Sequence, residues 1–199
     1  MIRAILFDLG NVLLNFDHGI ITRRMAMAAG IAESPRASFA RLTESFEIGE
    51  LTASDFFAGV ERNYELSGRV DLPAFTEMWS DIFWENQELT ALLPVLARKV
   101  RLVLLSNTNA LHIEHARRNF PHVFAPFHDC VFSCEIGLRK PDPRIFAEAL
   151  NRAGVEAENA LYFDDIRHYV DAASRLGLHA YQVVSASCVK DILRAYELL

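Results

Sequence analysis

The sequence predicts an α/β protein: a doubly wound parallel sheet that carries an inserted bundle of helices. Three observations support this. From Gln87 onward, apolar runs of strand length alternate with helical stretches, the pattern of parallel strands joined by right-handed crossovers. A run of the same kind, Ala4-Ile5-Leu6-Phe7, stands by itself near the start. Between the two lies a long stretch of helical periodicity without a convincing strand.

The first run is short, continuous and apolar, as a strand buried on both faces should be. It stops on Asp8, with Gly10 two positions later. Ligands of open α/β sheets bind outside the carboxyl ends of the strands, so Asp8 either faces a binding crevice or merely begins a turn. Leu14-Asn15-Phe16-Asp17-His18 reads as a polar loop at that end. Ser34-Pro35 starts a helix that ends near Ile48-Gly49, Thr52-Ala53-Ser54-Asp55 starts one toward Ser67-Gly68, and Asp71-Leu72-Pro73 starts another. About four helices are expected before Gln87. Phe56, Phe57, Phe75, Trp79, Phe83 and Trp84 are read there as core, because an aromatic stripe at helical spacing is the ordinary sign of a packed helix face. Residues 1–15 and 88–199 are thus assigned to the sheet and residues 16–87 to a helical cap.

Leu89 to Lys99 is expected as an amphipathic helix that Pro94 can kink. Val100 to Leu105 is a strand ending at Ser106-Asn107-Thr108-Asn109, followed by a helix over Ala110 to Asn119. Asp129 to Ser133 is a weaker strand. Asp142-Pro143 opens a helix that Gly154 stops. Ala160 to Phe163 is a strand ending on Asp164-Asp165. A helix to Leu176-Gly177 and a strand from His179 to Val184 complete the pattern.

The chain has 199 residues, 20 Lys and Arg against 26 Asp and Glu, and a net charge of -6. No basic run or aromatic-interleaved stripe is present, which argues against a nucleic-acid partner. Cys130, Cys134 and Cys188 are few, odd in number and without Cys-x-x-Cys spacing, so they are read as packed reduced thiols. The first apolar run is too short for a secretory leader and no run spans a bilayer. A cytoplasmic protein without membrane contact is expected, and monomer and homodimer both remain open.

Four strand ends or loops carry polar groups: Asp8; Ser106 with Asn107; Lys140; and Asp164 with Asp165. A carboxylate can act as a nucleophile, and a second can join it in holding Mg2+. A hydroxyl and backbone N–H groups can bind phosphoryl oxygens, and an ammonium can grip nucleophile and substrate together. Singly, each has a plainer explanation: Ser106 and Thr108 can cap the next helix, and Lys140 can be a solvated loop residue. Adjacent Asp164 and Asp165 after a buried strand are harder to explain so, because they repel unless a cation lies near.

The four segments Phe7-Asp8-Leu9-Gly10-Asn11-Val12, Leu105-Ser106-Asn107-Thr108-Asn109, Gly137-Leu138-Arg139-Lys140-Pro141-Asp142 and Phe163-Asp164-Asp165 stand in the order of the motifs of the haloacid dehalogenase-like hydrolases. The chain resembles that superfamily along its whole length, and within it a helical-cap phosphatase branch acting on small sugar phosphates such as glucose 1-phosphate. The resemblance implies a Rossmann-like core and a Mg2+-dependent phosphomonoesterase acting on a small phosphorylated metabolite. It implies that Asp8 attacks phosphorus to give an aspartyl phosphate. Mg2+ would be held by Asp8, the Gly10 carbonyl and Asp165. Ser106 and the N–H of Asn107 would bind phosphoryl oxygens, Lys140 would stabilise the nucleophile, and Asp164 would support the metal or Lys140.

Two positions depart from the family pattern. Gly10 stands where most phosphatases of the family carry a second Asp as general acid and base, a contribution of roughly 10²–10⁴ in rate. Asp17, His18 and His168 are nearby candidates to replace it, each with a solvated surface role as the plainer reading. Tyr169 stands where an Asn or Asp usually adds a metal or water contact, and Asp171 comes two residues late, so weaker metal binding is expected. The missing second Asp also fits metal-independent 2-haloacid dehalogenation, and both departures fit a binding protein with eroded chemistry.

Overall fold

In the computed structural model, residues 1–30, 36–64, 66 and 68–199 are described, residues 36–39 by their backbone alone. Among them, β1 (Ala4–Phe7) is followed by β2 (Leu14–Phe16), α1 (His18–Ala29), α2 (Arg36–Glu47), α3 (Ala53–Tyr64), α4 (Leu72–Ser80) and β3 (Phe83–Glu85). The second half runs α5 (Gln87–Thr90), α6 (Leu93–Leu96), β4 (Arg101–Ser106), α7 (Ala110–Asn119), α8 (Pro121–Phe124), β5 (Asp129–Phe132) and α9 (Ser133–Ile136). It ends α10 (Pro143–Ala153), β6 (Ala160–Asp164), α11 (Arg167–Arg175), β7 (His179–Gln182) and α12 (Ala186–Ala195).

β1 is the central strand of a five-stranded parallel sheet, ordered β5-β4-β1-β6-β7. Phe7 lies level with Leu104 of β4 and with Phe163 of β6, so the three strands end within two residues of one another at one edge. Alternate residues enter opposite layers. Ile5, Phe7, Leu102, Leu104, Leu161 and Phe163 pack toward Leu93, Leu96, Val189 and Leu193. Ala4, Leu6, Val103, Leu105 and Tyr162 pack toward Ile145, Phe146, Ala149 and Ala173. Both faces are covered, which is why these strands read as continuous apolar runs rather than alternating ones. This is the expected Rossmann-like, doubly wound sheet.

The helices α1 to α4 bury a separate apolar cluster of Ile21, Met25, Phe46, Phe56, Val60, Tyr64, Phe75 and Trp79. Asp71 caps α4 by accepting from Ala74 N at 2.9 Å, as the Asp-x-Pro pattern suggested. The expected start at Ser34-Pro35 lies outside the described residues. Two short links tie α2 to the sheet half. The Ser133 hydroxyl donates to the Glu47 carbonyl at 2.6 Å, and Gly49 sits against the carbonyl of Cys134 so closely that a Cβ has no room.

Several sequence expectations need correction. Leu14 to Phe16 is a strand, paired antiparallel with Phe83 to Glu85, where a loop and a helix were expected. Phe83 and Trp84 therefore lie on a ribbon, and Trp84 is 50% exposed rather than core. Leu89 to Lys99 is two short helices broken by a turn before Pro94, because proline fits a first helical turn and not an interior. The helix Ala186–Ala195, capped by Ser185, was not expected at all. Asn109, not Ser106 or Thr108, caps α7 by accepting from His112 N at 3.0 Å.

Candidate active site

The shared edge of β4, β1 and β6 is where the polar groups collect. Asp8 continues β1 by one residue: its N–H donates to the Phe163 carbonyl at 2.9 Å. Lys140 comes from the loop before α10 and is only 1% exposed. Its Nζ lies 2.8 Å from Asp8 Oδ1 and 2.6 Å from Asp164 Oδ2, and donates to the Leu105 carbonyl at 3.2 Å. An ammonium this deep is tolerated because its donors are met by two carboxylates and a carbonyl. Burial pulls its pKa down, but Asp8 and Asp164 outweigh that and hold it above the ordinary lysine value.

Asp164 is fully buried. It receives Lys140, the Tyr162 hydroxyl and, at 2.8 Å, the N–H of Ile166. Tyr162 precedes it by two residues on β6 and so projects from the same face. Asp165 turns the other way, where its Oδ2 accepts from Asn11 Nδ2 at 3.3 Å. Asn11 holds a left-handed backbone, φ 53°, which Asn adopts more readily than most residues. Desolvation pushes the Asp8 carboxyl up to about 7, opposed by Lys140 and reinforced by Asp164. Burial, then Asp164, also raises Asp165.

The Asn107 side chain clamps the lysine loop from both sides. Its Oδ1 accepts from Lys140 N at 2.7 Å and its Nδ2 donates to the Lys140 carbonyl at 2.9 Å. The same Nδ2 reaches the Tyr169 hydroxyl at 3.3 Å. Tyr169 is buried, with its ring 5.2 Å from Lys140 Nζ. The residue that departs from the family pattern thus packs over the buried ammonium. Of these partners only Tyr162 had a signal in the sequence, its i, i+2 spacing from Asp164.

Ser106, Asn107 and Gly10 line a small cavity of about 70 Å³, together with His18, Glu47 and Phe16. A Cβ built on Gly10 would stand 2.6 Å from the Phe16 ring, so the side chain missing at residue 10 is replaced in space by Phe16. A neighbouring cavity of about 430 Å³ shares His18 and Glu47 and is walled also by Thr22, Thr43, Glu44 and Arg139. Arg139 pairs with Glu44 at 2.7 Å and Glu47 at 3.3 Å, joining the lysine loop to α2.

Of the other residues singled out, Asp17 caps α1 and pairs with Arg23, interactions that hold its pKa below the ordinary carboxylate value. His168 lies exposed on α11 against Tyr169 and lines neither cavity. Asp171 pairs with Arg167 at 2.8 Å. Among the described residues the three cysteines are unpaired, and Cys130 and Cys134 pack against the sheet core.

A doubly wound sheet whose central strand delivers a carboxylate to a buried lysine, with further carboxylates at the next strand end, defines an α/β protein with a charged crevice at its strand ends. The chain matches the haloacid dehalogenase-like hydrolase family over residues 2–177 and belongs to it. It is 26% identical, over 96% of its length and 91% of theirs, to a protein of Mycobacterium tuberculosis named as a phosphatase. It is also 24% identical, over 91% of its length, to mouse acyl-CoA dehydrogenase family member 10, of which it spans only 18%. Among solved structures, a family enzyme from Bacteroides thetaiotaomicron in complex with magnesium superposes with a TM-score of 0.81, at 26% identity over 91% of this chain and 92% of that one.

The donor set suits such an ion. One carboxylate oxygen each from Asp8, Asp164 and Asp165 lie within 4.8 Å of one another. Magnesium takes oxygen ligands and keeps several waters, so it needs few from the protein. Asp164 also accepts from Lys140, Tyr162 and Ile166, so more of its oxygen lone pairs are engaged than those of Asp165, which accepts from Asn11.

Proposed function

We propose that the protein is a Mg2+-dependent phosphomonoesterase that hydrolyses a small phosphorylated metabolite, of the size of a sugar phosphate, through an aspartyl-phosphate intermediate. The observation that carries this is the position of Asp8: it ends the central strand, 2.8 Å from the Nζ of a buried Lys140. A phosphatase-named relative and a magnesium-bound structural neighbour support it.

In this mechanism an Asp8 oxygen attacks phosphorus in line with the departing ester oxygen. Lys140 offsets the charge of the nucleophile and of the phosphoryl oxygens. Ser106, through its hydroxyl, and Asn107, through its N–H, bind those oxygens. Asp164 holds Lys140 in place rather than the metal. Asp8, the Gly10 carbonyl and Asp165 would hold Mg2+, which when bound neutralises phosphate charge. Residues 1–15 and 88–199 act as the catalytic core, and residues 16–87 as a cap whose cavity receives the leaving group.

Purified protein should hydrolyse 4-nitrophenyl phosphate with Mg2+, lose that activity in chelator, and lose it entirely as Asp8→Asn. Undiminished turnover by Asp8→Asn rejects the nucleophile. Release of halide from a 2-haloacid without metal, with no phosphate ester turned over, rejects the phosphatase in favour of dehalogenation. Stabilisation by phosphate esters without turnover of any rejects it in favour of a binding protein.

A further inference from the structure

Gly10 leaves the reaction without its customary proton donor, and we propose that His18 takes that part, acting as general acid toward the leaving oxygen and then as general base toward water. This rests on the phosphomonoesterase mechanism above. Four observations point to His18. First, the room for a side chain at residue 10 is filled by Phe16, 2.6 Å from where a Cβ would stand. Second, that same ring packs on His18, with centroids 4.7 Å apart and planes at 36°, so Phe16 both excludes a carboxylate and orients an imidazole. Third, His18 lines both cavities. It therefore lies between the phosphoryl end, marked by Gly10, Ser106 and Asn107, and the space left for the leaving group. Fourth, among the described residues no hydrogen bond engages the imidazole of His18; only its backbone carbonyl is used, by Thr22 at 3.2 Å.

The competing groups are committed elsewhere. Asp17 is spent on the α1 cap and on Arg23. His168 is outside both cavities. His112 lines the small cavity, but its ring nitrogens face Asn109 Nδ2 at 3.0 Å and the Trp79 carbonyl at 3.1 Å. Glu47 lines both cavities, yet its carboxylate pairs with Arg139. The charged and titratable groups around His18 are Asp17 beside it, Glu44 and Glu47 from α2, His112 from α7 and Arg139 across the larger cavity. Its pKa is lowered, chiefly by burial, with Asp17 opposing. An imidazole is the side chain whose ordinary titration lies closest to neutral pH, which suits this residue type to both proton steps.

The steps balance. As the Asp8–phosphorus bond forms and the ester P–O bond breaks, the imidazolium of His18 gives its proton to the departing oxygen, which leaves as an alcohol. Water then adds to phosphorus as the Asp8–phosphorus bond breaks. Neutral His18 takes the proton that water loses, inorganic phosphate leaves, and the imidazolium is restored.

The test compares two substrates. An alkyl phosphate needs its leaving oxygen protonated; 4-nitrophenyl phosphate does not. With His18→Gln, kcat for the alkyl ester is expected to fall by about 10², and the alkyl-to-aryl ratio of kcat by at least about tenfold, with the acid limb of the alkyl pH profile displaced. With His18→Ala, added imidazole should restore alkyl turnover. A purely structural role lowers both substrates in proportion, leaves the ratio unchanged, and overturns the proposal, as does a ratio that responds to Glu47→Gln instead. If one variant fails to fold, the other decides. Asp8→Asn, measured alongside, tests the underlying phosphatase separately: its full activity would reject the whole mechanism, whereas its inactivity with an unchanged His18→Gln ratio rejects His18 alone.

Discussion

At the ends of β1, β4 and β6, the buried side chains are Asp8, Ser106, Lys140 and Asp164, and directional bonds hold the charged ones. In the helical group, the buried side chains are Phe46, Phe56, Phe75 and Trp79, held ring against ring: Phe46 on Phe56 at 4.3 Å and Phe56 on Trp79 at 4.7 Å. The two regions bury their side chains equally well by different physics. Apolar contacts tolerate small shifts of the rings, whereas an ammonium between two carboxylates tolerates no loss of a partner. Precision is thus concentrated in the crevice, and the helices supply walls and volume.

This contrast can be broken in order of effect. Lys140→Met should abolish turnover and destabilise by about 3–5 kcal/mol, because two buried carboxylates lose their cation. Phe75→Ala should cost a similar or slightly smaller amount, about 3–5 kcal/mol, from a cavity in an apolar cluster. Denaturant titrations at two pH values separate them. The Lys140→Met loss should shrink as pH falls and Asp8, whose carboxyl burial holds up at about 7, takes up a proton, and the Phe75→Ala loss should not; equal pH responses would erase the distinction. Gly10→Asp should destabilise by about 1–3 kcal/mol through overpacking against Phe16, and Phe16→Ala in the same chain should relieve part of that loss.

His112 sits at the border of the two regions and sharpens the comparison by titration. Burial holds its pKa down at about 3, against an ordinary 6.5. The unfolded chain therefore binds the proton more readily than the folded one. The stabilisation from neutral His112 is complete above about pH 6.5 and is lost as pH falls toward 3, by about 1.4 kcal/mol for each pH unit in that window. His112→Asn should flatten that dependence in urea midpoints measured from pH 7 to pH 5. The smallest effect is expected for Tyr169→Phe. It removes one hydrogen bond to Asn107 and should cost about 0.5–1.5 kcal/mol, with the ring still over Lys140.

What was legible in the sequence follows the same division. The strands ending at Asp8, Ser106 and Asp164 were plain because strands buried on both faces are unbroken apolar runs. Gly154 marked the end of its helix through its left-handed backbone, φ 65°. The ribbon of β2 and β3 was not legible, since three residues are too few to establish a period. Nor was the side-chain work of Asn107 and Tyr169, which join residues distant in the chain and leave no local trace. Phe16 was placed in a loop, and its occupation of the space beside Gly10 depends on the ribbon that was missed.

The strand order has a consequence in time. The central strand is made first, but its neighbours β4 and β6 come from the middle and the last third of the chain. Asp8 therefore emerges during synthesis long before Lys140 and Asp164 exist to meet it. A growing or prematurely terminated polypeptide that stops short of residue 140 carries Asp8 without its counter-charge, and one that stops short of residue 164 lacks the carboxylate that holds Lys140 in place.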